Sequence, residues 1–406
     1  MSQQTEMREI FTKPKLAALL TLGLAEFVRG SLLFFILPIY IRGVLQFSAS
    51  VVGYAMAAHY TLDTSMRGPS GWLTDRFGQR KVAVTALSVG FIGLLLIARF
   101  RFDWSIILGS ALLGLGMAAI WPAVVSRITG GLPASANATA MSGVMMAWLL
   151  GVGSGTVTMS FTLGRHVQSG FATLLLIWLV GIGLAALSLQ RYRPEDHHRK
   201  RLGFRNIVSQ VYSVRLLLPG IFVQTFIMGI LMPVFVLYTQ YDLGLSGKLY
   251  SALLVSAGAA TVLFQLPVGR LVDRFGYKLF LMVGFGACAV LLTFVAHVHV
   301  LWMLFVGMIG VGASYSFILP SWNSVLAKSI SAKRRAVMWG VFMTIEGLGM
   351  ATGPLVGSWL WDRFLPSTPF FFAGVVLLVM MTFYGLAPIE RGFDTANEQQ
   401  SAGGQG

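Results

Sequence analysis

The chain has 406 residues, 56% of them hydrophobic and only 11% charged. Soluble domains carry about 25% charged residues, so this supply cannot cover a water-facing surface of that size. An ordinary cytosolic enzyme, a disordered scaffold and a nucleic-acid-binding globule are excluded, and lipid is the expected solvent. The 30 Lys and Arg stand against 15 Asp and Glu, and their placement decides what that excess means. The single cysteine, Cys288, forms no intramolecular disulfide, no zinc spacing is present, and the six histidines do not cluster as ligands. No metal and no cofactor is implied.

Twelve apolar runs long enough to cross a bilayer follow one another, at about 16–41, 50–73, 82–99, 104–126, 137–160, 171–189, 214–239, 249–272, 279–298, 300–326, 336–360 and 369–388. The first is too long for the apolar region of a signal peptide and contains Glu26 and Arg29. The long polar stretch 190–213 divides the chain. The expected plan is an all-α membrane protein: a six-helix bundle over 1–189, a cytoplasmic linker over 190–213, a second six-helix bundle over 214–390 and a polar tail over 391–406.

With twelve spans and both termini on one side, 23 of the 30 basic residues fall on that side. Six fall opposite (Arg42, Arg99, Arg101, Arg165, Lys248, Arg363) and Arg29 lies inside a span. By the positive-inside rule both termini are expected in the cytoplasm of a multi-pass inner-membrane protein.

The halves repeat at an offset of 198. Pro69, Gly71, Leu73 and Asp75-Arg76-Phe77-Gly78 fall on Pro267, Gly269, Leu271 and Asp273-Arg274-Phe275-Gly276. Pro122, Ser126 and Gly155 fall on Pro320, Ser324 and Gly353. Two six-span repeats are a hallmark of secondary transporters, whose sites lie near the midplane between the halves. The repeated motif predicts a glycine for close helix approach, then an Asp-Arg pair, a turn glycine and further basic residues. Such a loop can latch one conformation and release in another, or it is a basic turn that only fixes topology.

The pattern G-x-L-x-D-R-x-G-x-[RK], present as Gly71–Arg80 and Gly269–Lys278, resembles the loop signature of the major facilitator superfamily. The duplicated plan covers about 380 residues. This resemblance implies a rocker-type secondary transporter with gate residues Gly71, Asp75, Arg76, Gly78 and Arg80, and Gly269, Asp273, Arg274, Gly276 and Lys278. The family's proline-glycine antiporter motif is incomplete on span 5, where Gly151 and Gly155 have no proline. It is fuller on span 11, at Gly349, Gly353-Pro354 and Gly357. Small residues for close helix packing are the favoured reading of these glycines.

Three of the fifteen carboxylates fall inside spans: Glu26, Asp63 and Glu346. An ionisable group in lipid costs at least about 2.5 kcal/mol and is a functional candidate by default. Glu26 and Arg29 share a face of span 1, and His59, Asp63 and Arg67 form a stripe along span 2. One polar site around Glu26, Arg29, His59 and Asp63 is expected, with Arg67 at the interface beside the gate loop. Burial favours the neutral form of a carboxyl group and a neighbouring guanidinium favours the charged form. Alternating between the two surroundings would couple the site to protons, with His59 as a relay. A fixed Arg29 ion pair holding spans 1 and 2 together is the alternative. Glu346 stands alone on span 11 as a second titrating group or as a residue facing a polar cavity.

The second half offers Gln224, Thr225, Thr261 and Gln265 among aliphatics, and aromatics flank the prolines at Trp121-Pro122 and Pro320-Ser321-Trp322-Asn323. A cavity polar on one side and greasy on the other suits an amphiphile. Glu26, Arg29, Asp63, Trp121 and Trp148 together resemble the proton-coupled flippases for the glycolipid anchor of lipoteichoic acid. That resemblance implies head-group contacts and proton coupling by these residues. Drug exporters of the superfamily, with acids on spans 1 and 2, are the rival reading. A transport-inactive sensor or scaffold is disfavoured by the intact Asp-Arg pairs and the lack of an appended domain. An enzyme is disfavoured by the lack of a metal cluster, a catalytic His/Asp pairing or a phosphate loop. The expected partners are protons, the bilayer and one amphipathic molecule or glycolipid, with no nucleic acid, for a monomer.

Overall fold

A computed structural model describes residues 12–130, 132, 136–163, 166–189, 215–329 and 335–387. The linker at 190–213 and the tail at 391–406 lie outside the described residues. Among the described residues there are twelve long helices and no strand. They are α1 Lys13–Val44, α2 Ala49–Phe77, α3 Gln79–Arg99, α4 Asp103–Thr129, α5 Asn137–Leu163 and α6 Val167–Ser188 in the first half. In the second half they are α7 Leu218–Asp242, α8 Gly247–Phe275, α9 Tyr277–Val295, α10 Leu301–Ser329, α11 Arg335–Arg363 and α12 Thr368–Leu386. Ten of them are apolar and long enough to cross a membrane. The other two, α2 and α11, are long enough but carry the polar residues of the candidate site.

The 198-residue repeat is structural. Helices α8, α9, α10 and α11 begin 198 residues after α2, α3, α4 and α5. Both central helices also end in a wide π-helical turn at matching positions, Tyr40–Val44 in α1 and Tyr238–Asp242 in α7. The halves differ at their repeated prolines. Pro122 has no N–H to bond the Ala118 carbonyl, and α4 breaks at Ala119. Pro320 lies inside an uninterrupted α10.

The gate motif is less of a loop than its sequence suggests. Asp75-Arg76 and Asp273-Arg274 occupy the last turns of α2 and α8, and the connection is a single glycine. Gly78 has φ 88° and ψ 148°, and Gly276 has φ 86° and ψ 156°, a region open essentially to glycine alone. A Cβ on Gly276 meets nothing within 4 Å, so the cost of adding one is backbone strain. Gly276→Ala and Gly78→Ala are expected to lose similar stability, about 1–3 kcal/mol each, read from thermal unfolding of the purified protein in detergent.

Glycines set the helix spacing within each half. A Cβ on Gly155 would collide with the Phe27 carbonyl, and one on Gly353 with the Phe226 carbonyl. Helix α5 therefore packs backbone to backbone on α1, and α11 on α7. Close packing accounts for the antiporter-motif glycines. Helices α1, α4 and α7 are mostly enclosed by protein. Outward faces carry bare aliphatics such as Leu187 at 83% exposure and Leu266 at 76%, a surface suited to hydrocarbon.

The halves meet mainly at the end opposite the gate motifs. There the Tyr250 hydroxyl donates to the Phe34 carbonyl at 2.7 Å, the Ser160 and Ser251 hydroxyls bond each other, and Gly53 of α2 fits against Ser358 of α11. Helices α2 and α11 stay in contact as far as Thr64 and Gly347. Beyond that point a Cβ on Gly68, Gly71 or Gly340 would meet nothing within 4 Å. Among the described residues the bundle is closed at one end and open at the motif end.

Candidate functional site

The intramembrane charges converge at the floor of that opening. Arg29 Nη2 lies 2.6 Å from Glu26 Oε2, and Arg29 Nη1 lies 3.5 Å from Asp63 Oδ2. Arg67 grips Asp63 with two hydrogen bonds, Nε to Oδ1 at 3.3 Å and Nη2 to Oδ2 at 2.7 Å. Among the described residues these are the ion pairs within 4.0 Å. The result is a neutral tetrad, two carboxylates against two guanidiniums, joining α1 to α2. Glu26, Arg29 and Asp63 are buried at 2%, 8% and 2% exposure, whereas the Arg67 side chain is 30% exposed toward the opening.

Arg67 corrects the expectation that placed it at the interface with the gate motif. Side chains on a helix lean toward its N-terminus, so Arg67 reaches back one turn to Asp63. The i, i+4 spacing was the available signal. Gly151 also contributes without a polar atom. A Cβ there would sit 2.5 Å from the Gly23 carbonyl and 2.8 Å from the Glu26 Cβ, so α5 passes this close to the Glu26 stem only as glycine.

His59 is fully buried behind the tetrad. Its Nδ1 lies 3.3 Å from the Ser110 carbonyl of α4, and its ring meets Tyr60 edge-on. Its Nε2 has no hydrogen-bond partner among the described residues, and it is not within ion-pair distance of Asp63. Glu346 is exposed at the opening. It follows the sequence position of Trp148 by 198 residues, and Trp148 is likewise exposed, on α5. Glu346 is less isolated than its sequence surroundings suggest. The neighbouring Gly347 packs on Thr64 of α2, about one turn from Arg67.

The tryptophans separate. Trp121 is half-buried against the first-half core. Trp322 is buried in the second half between Gly220 and Tyr384 and is not brought to the tetrad. The Asn323 side chain lies outside the described residues. Of the gate residues, Arg76 lies over the rings of Trp72 and Phe77, and Arg274 over Phe275. Asp75 and Asp273 form no ion pair among the described residues.

The second half holds a cavity of about 210 Å³ lined by Gln224, Ile227, Leu231, Thr261, Cys288 and Tyr315 among others. Its polar groups are largely occupied with each other. Gln224 Nε2 donates to the Tyr315 hydroxyl at 2.6 Å, and Thr261 Oγ1 donates to the Gly312 carbonyl at 2.9 Å. The wall is therefore apolar in character. Thr225 bonds its own helix and faces α11 instead, and Gln265 is not among the lining residues.

A family model described as the Major Facilitator Superfamily matches residues 19–218 and 217–403. The chain belongs to this superfamily. It is a multi-pass membrane transporter of the two-times-six design. Among curated relatives, the proton-coupled antiporter flippase LtaA of Staphylococcus aureus (strain USA300) is 27% identical over 382 residues, covering 90% of this chain and 93% of that protein. Among solved structures, a bacterial homolog of the human lysosomal transporter Spinster superposes with a TM-score of 0.75 at 16% identity, covering 97% of this chain and 99% of that one. The nucleoside transporter NupG superposes with a TM-score of 0.73 at 15% identity, covering 94% and 99%. These two likenesses concern the fold.

Proposed function

We propose that this chain is a proton-coupled secondary transporter of the inner membrane that exports or flips an amphipathic molecule by alternating access. A glycolipid is the narrower reading. The observation that carries the proposal is an asymmetry between the two halves. A buried tetrad of two acids and two arginines forms the floor on the first-half side, and an apolar cavity of about 210 Å³ lies in the second half. A polar head group suits the first and an apolar body the second. The name of the LtaA relative supports both the proton coupling and the flippase reading.

The distribution of basic residues supports cytoplasmic termini and a cytoplasmic motif end. On that orientation the structure corresponds to the inward-open state. In it the carboxylate of Asp63 is occupied by Arg29 and Arg67, and Glu346 faces the water of the opening. Closure of the motif end would bring Glu346 and Arg67 into a drier site and change which carboxylate holds the proton. The gate residues Asp75 and Asp273 are free to pair in that other state.

The test is reconstitution in liposomes with an imposed pH gradient, comparing a fluorescent glycolipid with a lipophilic cationic drug. Gradient-dependent movement of the glycolipid supports the narrower reading, and movement of the drug alone supports the efflux alternative. Movement of neither, with both gradients intact, removes the proposal. Cys288, the single cysteine, lines the apolar cavity. Substrate that occupies the cavity is expected to slow its alkylation by a membrane-permeant maleimide.

A further inference from the structure

We propose that Asp362 is a one-sided latch that holds the closed end of the transporter shut by capping a helix of the opposite half. Asp362 sits at the C-terminal end of α11. Its Oδ1 accepts from the backbone N–H of Ala49 at 3.0 Å. Its Oδ2 accepts from the backbone N–H of Ser50 at 2.7 Å and from the Ser50 hydroxyl at 2.6 Å. Ala49 and Ser50 are the first two residues of α2. The first N–H groups of a helix have no partner within it, and a carboxylate there also meets the positive end of the helix dipole. The cap that α2 requires is thus supplied from 312 residues away, across the seam between the halves.

The repeat shows that this is not a general property of the fold. The residue before α8 is Ser246, and its hydroxyl accepts from the Leu249 N–H at 3.4 Å, so α8 is capped by its own chain. The equivalent residue before α2 is Ser48. It has the same extended backbone but makes no side-chain cap. The residue 198 positions before Asp362 is Gly164, which has no carboxylate to offer. Of two equivalent helix starts, one is self-capped and the other is capped in trans. At this end α8 meets α5 through the neutral Ser160–Ser251 hydroxyl pair and meets α1 through the Tyr250 hydroxyl on the Phe34 carbonyl. Among the described residues a charged contact therefore reinforces the α2–α11 seam alone. When this end opens, the N-terminus of α2 loses its cap and Asp362 returns to water. The contact stabilises one state over the other, and it rests on the alternating-access reading above.

The experiment measures the state distribution directly. In a Cys288→Ser background, spin labels at Arg42→Cys and Leu365→Cys report the closed end, and labels at Phe77→Cys and Gly340→Cys report the motif end. Loss of an N-cap is worth a factor of about 5 to 30 in a two-state ratio. Asp362→Ala is expected to raise the population with a wide closed-end distance by that factor, with matching growth of the short motif-end distance. Asp362→Asn, which keeps one acceptor oxygen, is expected to fall between. Ser48→Asp leaves Asp362 intact, offers α2 a cap of its own and sets a like charge beside the latch, and it should shift the distribution the same way. Unchanged distances in Asp362→Ala and Ser48→Asp overturn the latch. If Asp362→Ala fails to fold, Ser48→Asp decides. Failure of the wild-type protein to respond to a pH gradient, with these shifts present, counts against the proton-coupling reading and not against the latch.

Discussion

Asp63→Asn is expected to reduce pH-gradient-driven transport to background while the protein remains folded. Asp63 is the hub of the tetrad. It takes both hydrogen bonds of Arg67 and the second contact of Arg29, from two different helices. Asparagine preserves its shape and one acceptor oxygen but can neither carry nor release a proton in this role. The local charge changes from neutral to +1, because Glu26 alone then faces two guanidiniums. Arg29 keeps its 2.6 Å partner, so the stability loss is expected at about 1–3 kcal/mol, the cost of weakening charge-assisted hydrogen bonds rather than of orphaning a buried charge. Liposome flux with and without a pH gradient checks the first outcome, and thermal unfolding in detergent checks the second. Unchanged gradient dependence removes Asp63 from proton coupling.

Arg29 gives the second large effect, and two substitutions separate its roles. Arg29→Ala leaves Glu26, at 2% exposure, with no ion-pair partner. Breaking a buried pair in this way costs about 3–5 kcal/mol, so poor yield is expected. Arg29→Lys keeps the charge but not the planar fork that reaches Glu26 and Asp63 together. It is expected to fold, and to lose about 10- to 100-fold in transport, the equivalent of one charge-assisted hydrogen bond of about 1.5–3 kcal/mol. Full transport by Arg29→Lys would reduce the arginine to a structural tie between α1 and α2.

Much of the architecture was legible because lipid makes charge placement visible. A polar residue in a span stands out, so Glu26, Asp63 and Glu346 could be selected without coordinates. The repeat located equivalent helix ends, and the structure extends its register to the helix starts of α8–α11 and the wide turns of α1 and α7. Most spans came out longer than their apolar cores, for instance Arg335–Arg363 against an expected 336–360, because flanking polar residues remain helical beyond the hydrocarbon region; α7, α9 and α12 are each one residue shorter than expected. The Asp-Arg pairs were expected in a loop and lie in helix ends, since one glycine at φ 88° suffices to turn the chain.

The sequence by itself determined the membrane class, the two halves, the repeated motif and the identity of the buried acids. Each of these follows from local composition, from periodicity or from comparison of the chain with itself. Only the tertiary structure decided which charge meets which. Arg67 is long enough to reach either the interface or Asp63, and in the structure it takes Asp63, which Arg29 of α1 also contacts. Trp322 stands two residues from Pro320, in the pattern read as a binding position, yet it fills the Gly220 gap in the second-half core. Gly151 acquires meaning only when α5 lies against Glu26. Asp362 reads as one more acid at a helix end until α11 crosses α2, because a contact spanning 312 residues exists only when the halves are closed against each other.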